Sequence, residues 1–266
     1  MINRVSDAYH KEGKKVAVNL NIGGPVETVS WRDKVDSVLL AWQPGQEAGY
    51  AVVDVLSGKV NPSGKLAETF PMKYSDVPSA ATFPGTPVNN PTQVQYNEDI
   101  YVGYRYYSTF NVKPAYEFGY GLSYTDFDIS HVNISEGKKF KDKVSVSAMV
   151  ENTGKVPGRE VVEVYVSAPD GKLEKPALEL KAFDKTKELK PNQHQLLQFD
   201  LNAKDLASFD EEKSAWVLEK GTYTVKVGAS SEDIKGTATF TVDHDIIVEK
   251  VSDVLSPKID FERLTK

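Results

Sequence analysis

Apolar and polar residues follow two different rules along this chain, and the rule changes near its middle. Up to about residue 75 the apolar residues come in pieces sized for helices or for strands covered on both faces. From Phe127 onward they alternate with polar residues between turn signals. In the first part, Ile2, Val5, Ala8 and Tyr9 recur at helical spacing and Gly13 supplies a stop. This predicts a short opening helix, with no Ser, Thr, Asp or Asn cap ahead of it. Residues 15–20 read as a buried strand, Gly23-Gly24-Pro25 as a turn and 26–34 as a second helix. The run Val38-Leu39-Leu40-Ala41 within 36–42 has the composition of a parallel strand covered on both faces. A third helix is predicted over 46–56, with Ala48, Val52, Val55 and Leu56 on one face and Gly58 at its end. A loop over 59–64 and a strand over 65–70 follow.

This alternation of helix and strand describes a mostly parallel α/β sheet, but about three strands are too few to bury both faces of an open sheet. The uncapped start and the missing strands together suggest an α/β sandwich domain that is partial, its remainder lying upstream or on another polypeptide. Residues 71–95 contain five prolines and read as an extended surface loop. Residues 96–124 hold eight tyrosines, side chains with an apolar body and a polar tip. Such a stretch suits either an interdomain joint, with Tyr101, Tyr104, Tyr106 and Tyr107 packed between the halves, or a surface on which a sugar lies. Close backbone passage there would use Gly103, Gly119 and Gly121.

Beyond the joint, the alternations 127–129, 144–150, 162–166, 178–180, 197–201, 223–227 and 238–242 amount to roughly seven strands with the spacing of a β-sandwich. Without a cysteine pair, the immunoglobulin-like alternative of fibronectin type III kind is the better description. The organisation read from the pattern is a truncated α/β sandwich domain at 1–75, a loop and tyrosine-rich joint at 76–125, a fibronectin type III-like sandwich at 126–243 and an extension at 244–266. Residues 203–215 look like a polar insertion within the sandwich.

Composition narrows the chemistry. A net charge of −6 with scattered Lys and Arg provides no basic field for nucleic acid. No apolar run approaches the ~18 residues of a membrane span, so no membrane partner is expected. The absence of cysteine excludes disulfides, thiolate metal sites and a cysteine nucleophile. His10, His131, His194 and His244 occur singly, without metal-ligand spacing, and neither metal nor cofactor is expected. No secretory signal opens the chain, which carries little meaning if residue 1 is an internal position.

Two motifs invite a functional reading. Gly58–Lys65, GKVNPSGK, looks superficially like a phosphate-binding loop, but its glycine spacing is one residue too long and Leu66 stands where a hydroxyl residue is required. It reads as a helix end and a turn. Gln43–Gly49, QPGQEAG, follows a buried strand and opens a helix, on the side of an α/β sheet where ligands bind. Trp42, Gln46 and Glu47 are therefore the candidate substrate-binding residues: Trp42 as a stacking surface, Gln46 and Glu47 facing a cleft. The structural alternatives are a tryptophan packing at a strand end and a glutamate complementing the helix dipole.

Three blocks in order, DSVLLAWQPGQEAGYAVVDVLSGKVNPSGKLAETFP, YNEDIYVGYRYY and YEFGYGLSYTDF, resemble the C-terminal portion of glycoside hydrolase family 3 β-glucosidases. The resemblance covers nearly all of the chain. It implies a (β/α)8 barrel and the start of an α/β sandwich upstream, and retaining hydrolysis of β-linked glucosides by two carboxylates about 5–5.5 Å apart. In the family the nucleophilic Asp belongs to the barrel and the acid/base Glu precedes the position matching residue 1. No residue here is therefore assigned as catalytic, and the chain is expected to be inactive alone. The implied partners are that barrel, in the same polypeptide or separately encoded, and in the complete enzyme a β-linked oligosaccharide. Complete members are often periplasmic or secreted. The alternative is a carbohydrate-binding or structural interaction module. Glu98 and Arg105 are expected in a structural ion pair or in backbone bonding.

Overall fold

The computed structural model describes residues 1–135, 139–256, 259 and 261–266. The first half opens with α1 (Ile2–Lys11), β1 (Ala17–Leu20), β2 (Ser37–Leu40) and α2 (Ala48–Leu56). The opening helix has no side-chain cap. β1 and β2 pair in parallel, in the register Ala17↔Ser37 to Leu20↔Leu40, and form a sheet of only two strands. Among the described residues of 1–75, the buried side chains are Ser6, Thr28, Trp31 and Phe70. The faces of β1 and β2 remain partly or fully exposed.

Two expected elements differ. In place of a helix over 26–34 there is a single 3-10 turn, Arg32–Lys34. The Glu27 carboxylate accepts the Ser30 amide (2.7 Å) and hydroxyl (2.6 Å), and the indole of Trp31 donates to the Glu27 carbonyl. Side-chain bonds of this kind compete with a continuous helical ladder. In place of a strand over 65–70 the chain forms the short β3 (Phe70–Pro71). It pairs antiparallel with β4 (Pro114–Tyr116), which follows α3 (Tyr104–Thr109), and so does not extend the parallel sheet. Between the loop residues and β4, 71–95 carries two further 3-10 turns, Tyr74–Asp76 and Pro78–Ala81.

The second half is a sandwich. β5 (Phe127–Ser135), β6 (Lys143–Asn152) and β9 (His194–Asn202) form one sheet. β7 (Val161–Ser167), β8 (Glu179–Lys185), β12 (Gly221–Gly228) and β13 (Ile234–Val242) form the other, in the order β13-β12-β7-β8. Every second residue of β6 is buried, as period-two alternation requires. Val144, Val146, Ala148 and Val150 meet Leu197, Phe199 and Leu201 from their own sheet and Val162, Val164, Val166, Tyr223, Val225 and Phe240 from the other. The segment 203–215 folds rather than looping out. It forms α4 (Ala203–Leu206), capped reciprocally by Asn202 and Asp205, then β10 (Ser208–Asp210), leading into β11 (Ala215–Leu218). The tail supplies β14 (Ile246–Lys250), which pairs antiparallel with β11 and places Ile246 and Val248 against the core.

β7 departs from alternation: Val161 to Val166 are all buried. Its inner face lies in the core, and its outer face, bearing Glu163 and Tyr165, lies under the tyrosine-rich segment. Tyr104 stands edge-on to Tyr165 at 5.7 Å and against Phe118 at 4.8 Å, and its hydroxyl accepts the Leu180 amide at 2.7 Å. Tyr101 is fully buried, and its hydroxyl donates to Glu174 of the sandwich. Tyr107 is buried, whereas Tyr106 is half-buried against Tyr107 and Phe110. Glu98 and Arg105 do not pair: Arg105 reaches Glu179 of β8 at 3.6 Å, and the Glu98 carbonyl accepts the Tyr101 amide.

Tyr104 bridges the halves and Tyr106 only lines the joint, so Tyr104→Ala is expected to cost about 2–3 kcal/mol and Tyr106→Ala about 1 kcal/mol. Thermal unfolding of the two variants checks this; equal effects would contradict the assignment of Tyr104 as the bridging residue.

Candidate functional site

The residues proposed for a ligand sit where β2 ends. Trp42 adopts a left-handed backbone conformation (φ 54°), unusual for a bulky residue, and its ring leans on Phe70 with centroids 6.4 Å apart. From there an aromatic row continues. Phe70 meets Tyr116 edge-on at 6.0 Å, and Tyr116 meets Tyr120 at 5.1 Å. The Arg32 guanidinium lies over the Tyr116 ring and donates to the Ala115 carbonyl. Gln43 turns back, with its amide against Gly23. Gln46 and Glu47 are exposed, and Glu47 occupies the N-cap of α2 without a side-chain capping bond. The structure thus packs Trp42 within the fold and leaves Gln46 and Glu47 at the surface. A groove of about 760 Å³ lies instead beside β10, between Phe209, Glu211 and the tail residues Asp253 and Arg263.

One constellation has the outline of a hydrolytic relay. Ser6 Oγ lies 3.4 Å from His10 Nδ1, and His10 Nε2 lies 2.8 Å from Asp36 Oδ2. A nucleophile must be reachable and must give its proton to the base. Ser6 is 1% exposed, and its hydroxyl donates to the Lys34 carbonyl. Asp36 also accepts Lys15 (2.6 Å) and the Val16 amide (2.8 Å). The Lys15 hydrogen bond, then that amide and His10, hold its carboxyl well below the usual carboxylate range. The group is a tether between α1 and the start of β2. Among the described residues, no cluster of three His, Cys, Asp or Glu side chains is placed to hold a metal ion.

The loop resembling a phosphate cradle has a different occupation. Gly58, at φ 77°, ends α2, as the turn reading requires. Asn61 then clamps both halves: its amide donates to the Pro157 carbonyl (3.0 Å), and its carbonyl oxygen accepts the Ser123 hydroxyl (3.0 Å) and the Tyr124 amide (2.8 Å). Lys65 pairs with Glu160 at 2.9 Å, both largely buried, and donates to the Gly121 carbonyl at 3.1 Å. Leu66 exchanges backbone bonds with Gly119 and Tyr120. Hydrogen-bonding residues in a tight turn were visible in the sequence, but their partners, 56 to 96 residues away, were not.

Residues 2–124 match the glycosyl hydrolase family 3 C-terminal domain, and residues 160–231 match a fibronectin type III-like domain. The chain belongs to glycoside hydrolase family 3. Beta-glucosidase A of Butyrivibrio fibrisolvens is 42% identical over 264 residues, covering 91% of this chain and 31% of that protein. Thermostable beta-glucosidase B of Acetivibrio thermocellus is 39% identical, covering 96% and 34%. Among solved family 3 structures, beta-glucosidase 3B of Thermotoga neapolitana in complex with α-D-glucose superposes with a TM-score of 0.87 at 55% identity, over 92% of this chain and 33% of that one. The Bifidobacterium adolescentis family 3 β-glucosidase does so with a TM-score of 0.85 at 37% identity, over 96% and 37%. The chain therefore spans about a third of the length of these relatives. They are named as glucosidases, which does not favour the binding-module alternative.

Asn61→Ala removes three bonds across the joint and is expected to lower stability by about 2–3 kcal/mol. Gln46→Ala and Glu47→Ala should each stay within about 0.5 kcal/mol. Urea unfolding midpoints distinguish the two classes, and a large effect at Gln46 or Glu47 would show that their side chains are structural.

Proposed function

We propose that this chain supplies the C-terminal third of a retaining β-glucosidase-type glycoside hydrolase, and that both catalytic carboxylates come from residues outside it. One observation carries the reading: a finished β-sandwich is attached to an α/β half whose two-stranded parallel sheet leaves its faces open and buries almost no apolar side chain. Parallel strands are stable when covered on both faces. The partner that fits is a polypeptide bringing further α/β units and the barrel, in the same protein or separately encoded, and the substrate of the assembled enzyme is a β-linked glucoside. In this assembly Gln46 and Glu47, exposed beyond the end of β2, line the face met by that partner or by the sugar, and Trp42 supports them from its seat on Phe70.

The test is hydrolysis of an aryl β-glucoside by the purified chain. No steady turnover is expected from it alone, and turnover is expected after mixing with the remaining portion of a family 3 β-glucosidase. Steady hydrolysis by the pure chain would overturn the reading. Failure of the two pieces to co-purify would count against assembly from separate polypeptides.

A further inference from the structure

Glu163 is a carboxyl group buried between the two halves. It is 4% exposed, stands on the outer face of β7, and accepts the Tyr165 hydroxyl at 2.5 Å. The 117–121 loop closes directly over it. Gly119, at φ 86°, passes so near that a Cβ there would collide with Glu163 Oε2 and would lie 2.7 Å from the Ser230 Cα. The loop is held on both sides. The Gly119 amide donates to the Leu66 carbonyl (2.8 Å), the Ser231 amide donates to the Phe118 carbonyl (2.9 Å), and Ser230 Oγ donates to Glu117 (3.0 Å).

The charged and titratable groups around it are mostly acidic. Glu160 and Tyr165 come from β7 and its approach, Glu117 from the loop, Tyr104 from α3, and Glu232, close to Glu117, from the β12–β13 turn. Lys65 is the cation that reaches the site, and it is already paired with Glu160. The strand neighbours directly opposite Glu163, Gly228 and Phe183, bring no charge; Lys226 stands opposite Tyr165 on the same face of β12, Arg105 acts on Tyr104, and Lys113 acts on Glu232.

We propose that Glu163 is a proton-operated latch: as a neutral carboxyl it lets the 117–121 loop close on β7, and its ionisation loosens the joint between the α/β half and the sandwich. Ionisation would place a further negative charge beside Glu160 and Glu117 in a space closed to water, where the cation acting on Glu163, Lys65, is committed to Glu160, and the loop backbone is the element lying directly against the carboxyl. Burial, the main cause, pushes the Glu163 carboxyl up to about 7, with Tyr165 and Lys65 opposing and Glu160 and Glu117 reinforcing the rise. The folded form therefore holds the proton more tightly than the unfolded chain. The stabilisation is fully present below the ordinary carboxylate range and is lost as pH rises through about 7. The latch is independent of what the assembled protein hydrolyses.

Hydrogen exchange on the full chain, corrected for the intrinsic pH dependence of amide exchange, tests it. Peptides covering 114–124 and 228–233 are expected to lose about tenfold or more protection between about pH 5.5 and about pH 8.5, while 143–152 in the sandwich core stays protected. Glu163→Gln, which keeps the shape and removes the charge, should hold the protection throughout. A pH-independent joint in the parent, or a Glu163→Gln variant that loosens as the parent does, overturns the proposal. Should that variant fail to fold, Glu117→Gln removes a like charge and must move the loosening midpoint to lower pH; an unmoved midpoint also overturns it.

Discussion

The approach of Gly119 to the outer face of β7 is the contact on which the arrangement of the two halves depends. A backbone segment with no side chain at that point lies flat on the sandwich, its own bonds running outward to Leu66 on one side and to the β12–β13 turn on the other. The aromatic contacts of Tyr104 and the clamp at Asn61 are built around that position. Tyr104 packs on Phe118 and Asn61 accepts the hydroxyl of Ser123; Phe118 and Ser123 stand on either side of Gly119 in the chain. Burial of Glu163 follows from the same approach, because the loop that covers β7 also removes water from its outward-facing carboxyl.

The two halves are stabilised very differently. The sandwich has a continuous core from both sheets, closed at one end by the small β10-β11-β14 sheet and the buried Leu218. The α/β half is held by polar tethers, such as the Asp36 cluster that ties α1 to β2, by the aromatic row from Trp42 through Phe70 and Tyr116 to Tyr120, and by its attachment to the sandwich through 61–66. Polar tethers of this sort position elements but contribute little net stability when exposed. The chain spans about a third of the length of the relatives it matches.

Several residues take their state from a distant partner rather than from their own local pattern. Glu163 and Tyr165 occupy the polar register of an alternating strand and look solvent-facing, yet both are buried. Arg105 has an acidic residue nearby in sequence but pairs with Glu179, 74 positions on from it in the folded sheet partner. The segment 26–34 has helix-compatible composition, but the local bonds between Glu27 and Ser30 take the chain out of the helical path.

Period, turn chemistry and motif order were sufficient for the fold class, the strands of the two main sandwich sheets and the family. Those are local or repeated signals, carried by residues such as Val144 to Val150 whose burial follows from alternation alone. Tertiary structure decided the joint: that GKVNPSGK is an interdomain clamp, that the tail adds a strand to β11, and that an acidic side chain on β7 is sealed from water. These depend on contacts between residues tens of positions apart, and no one-dimensional pattern records which two surfaces will exclude water between them.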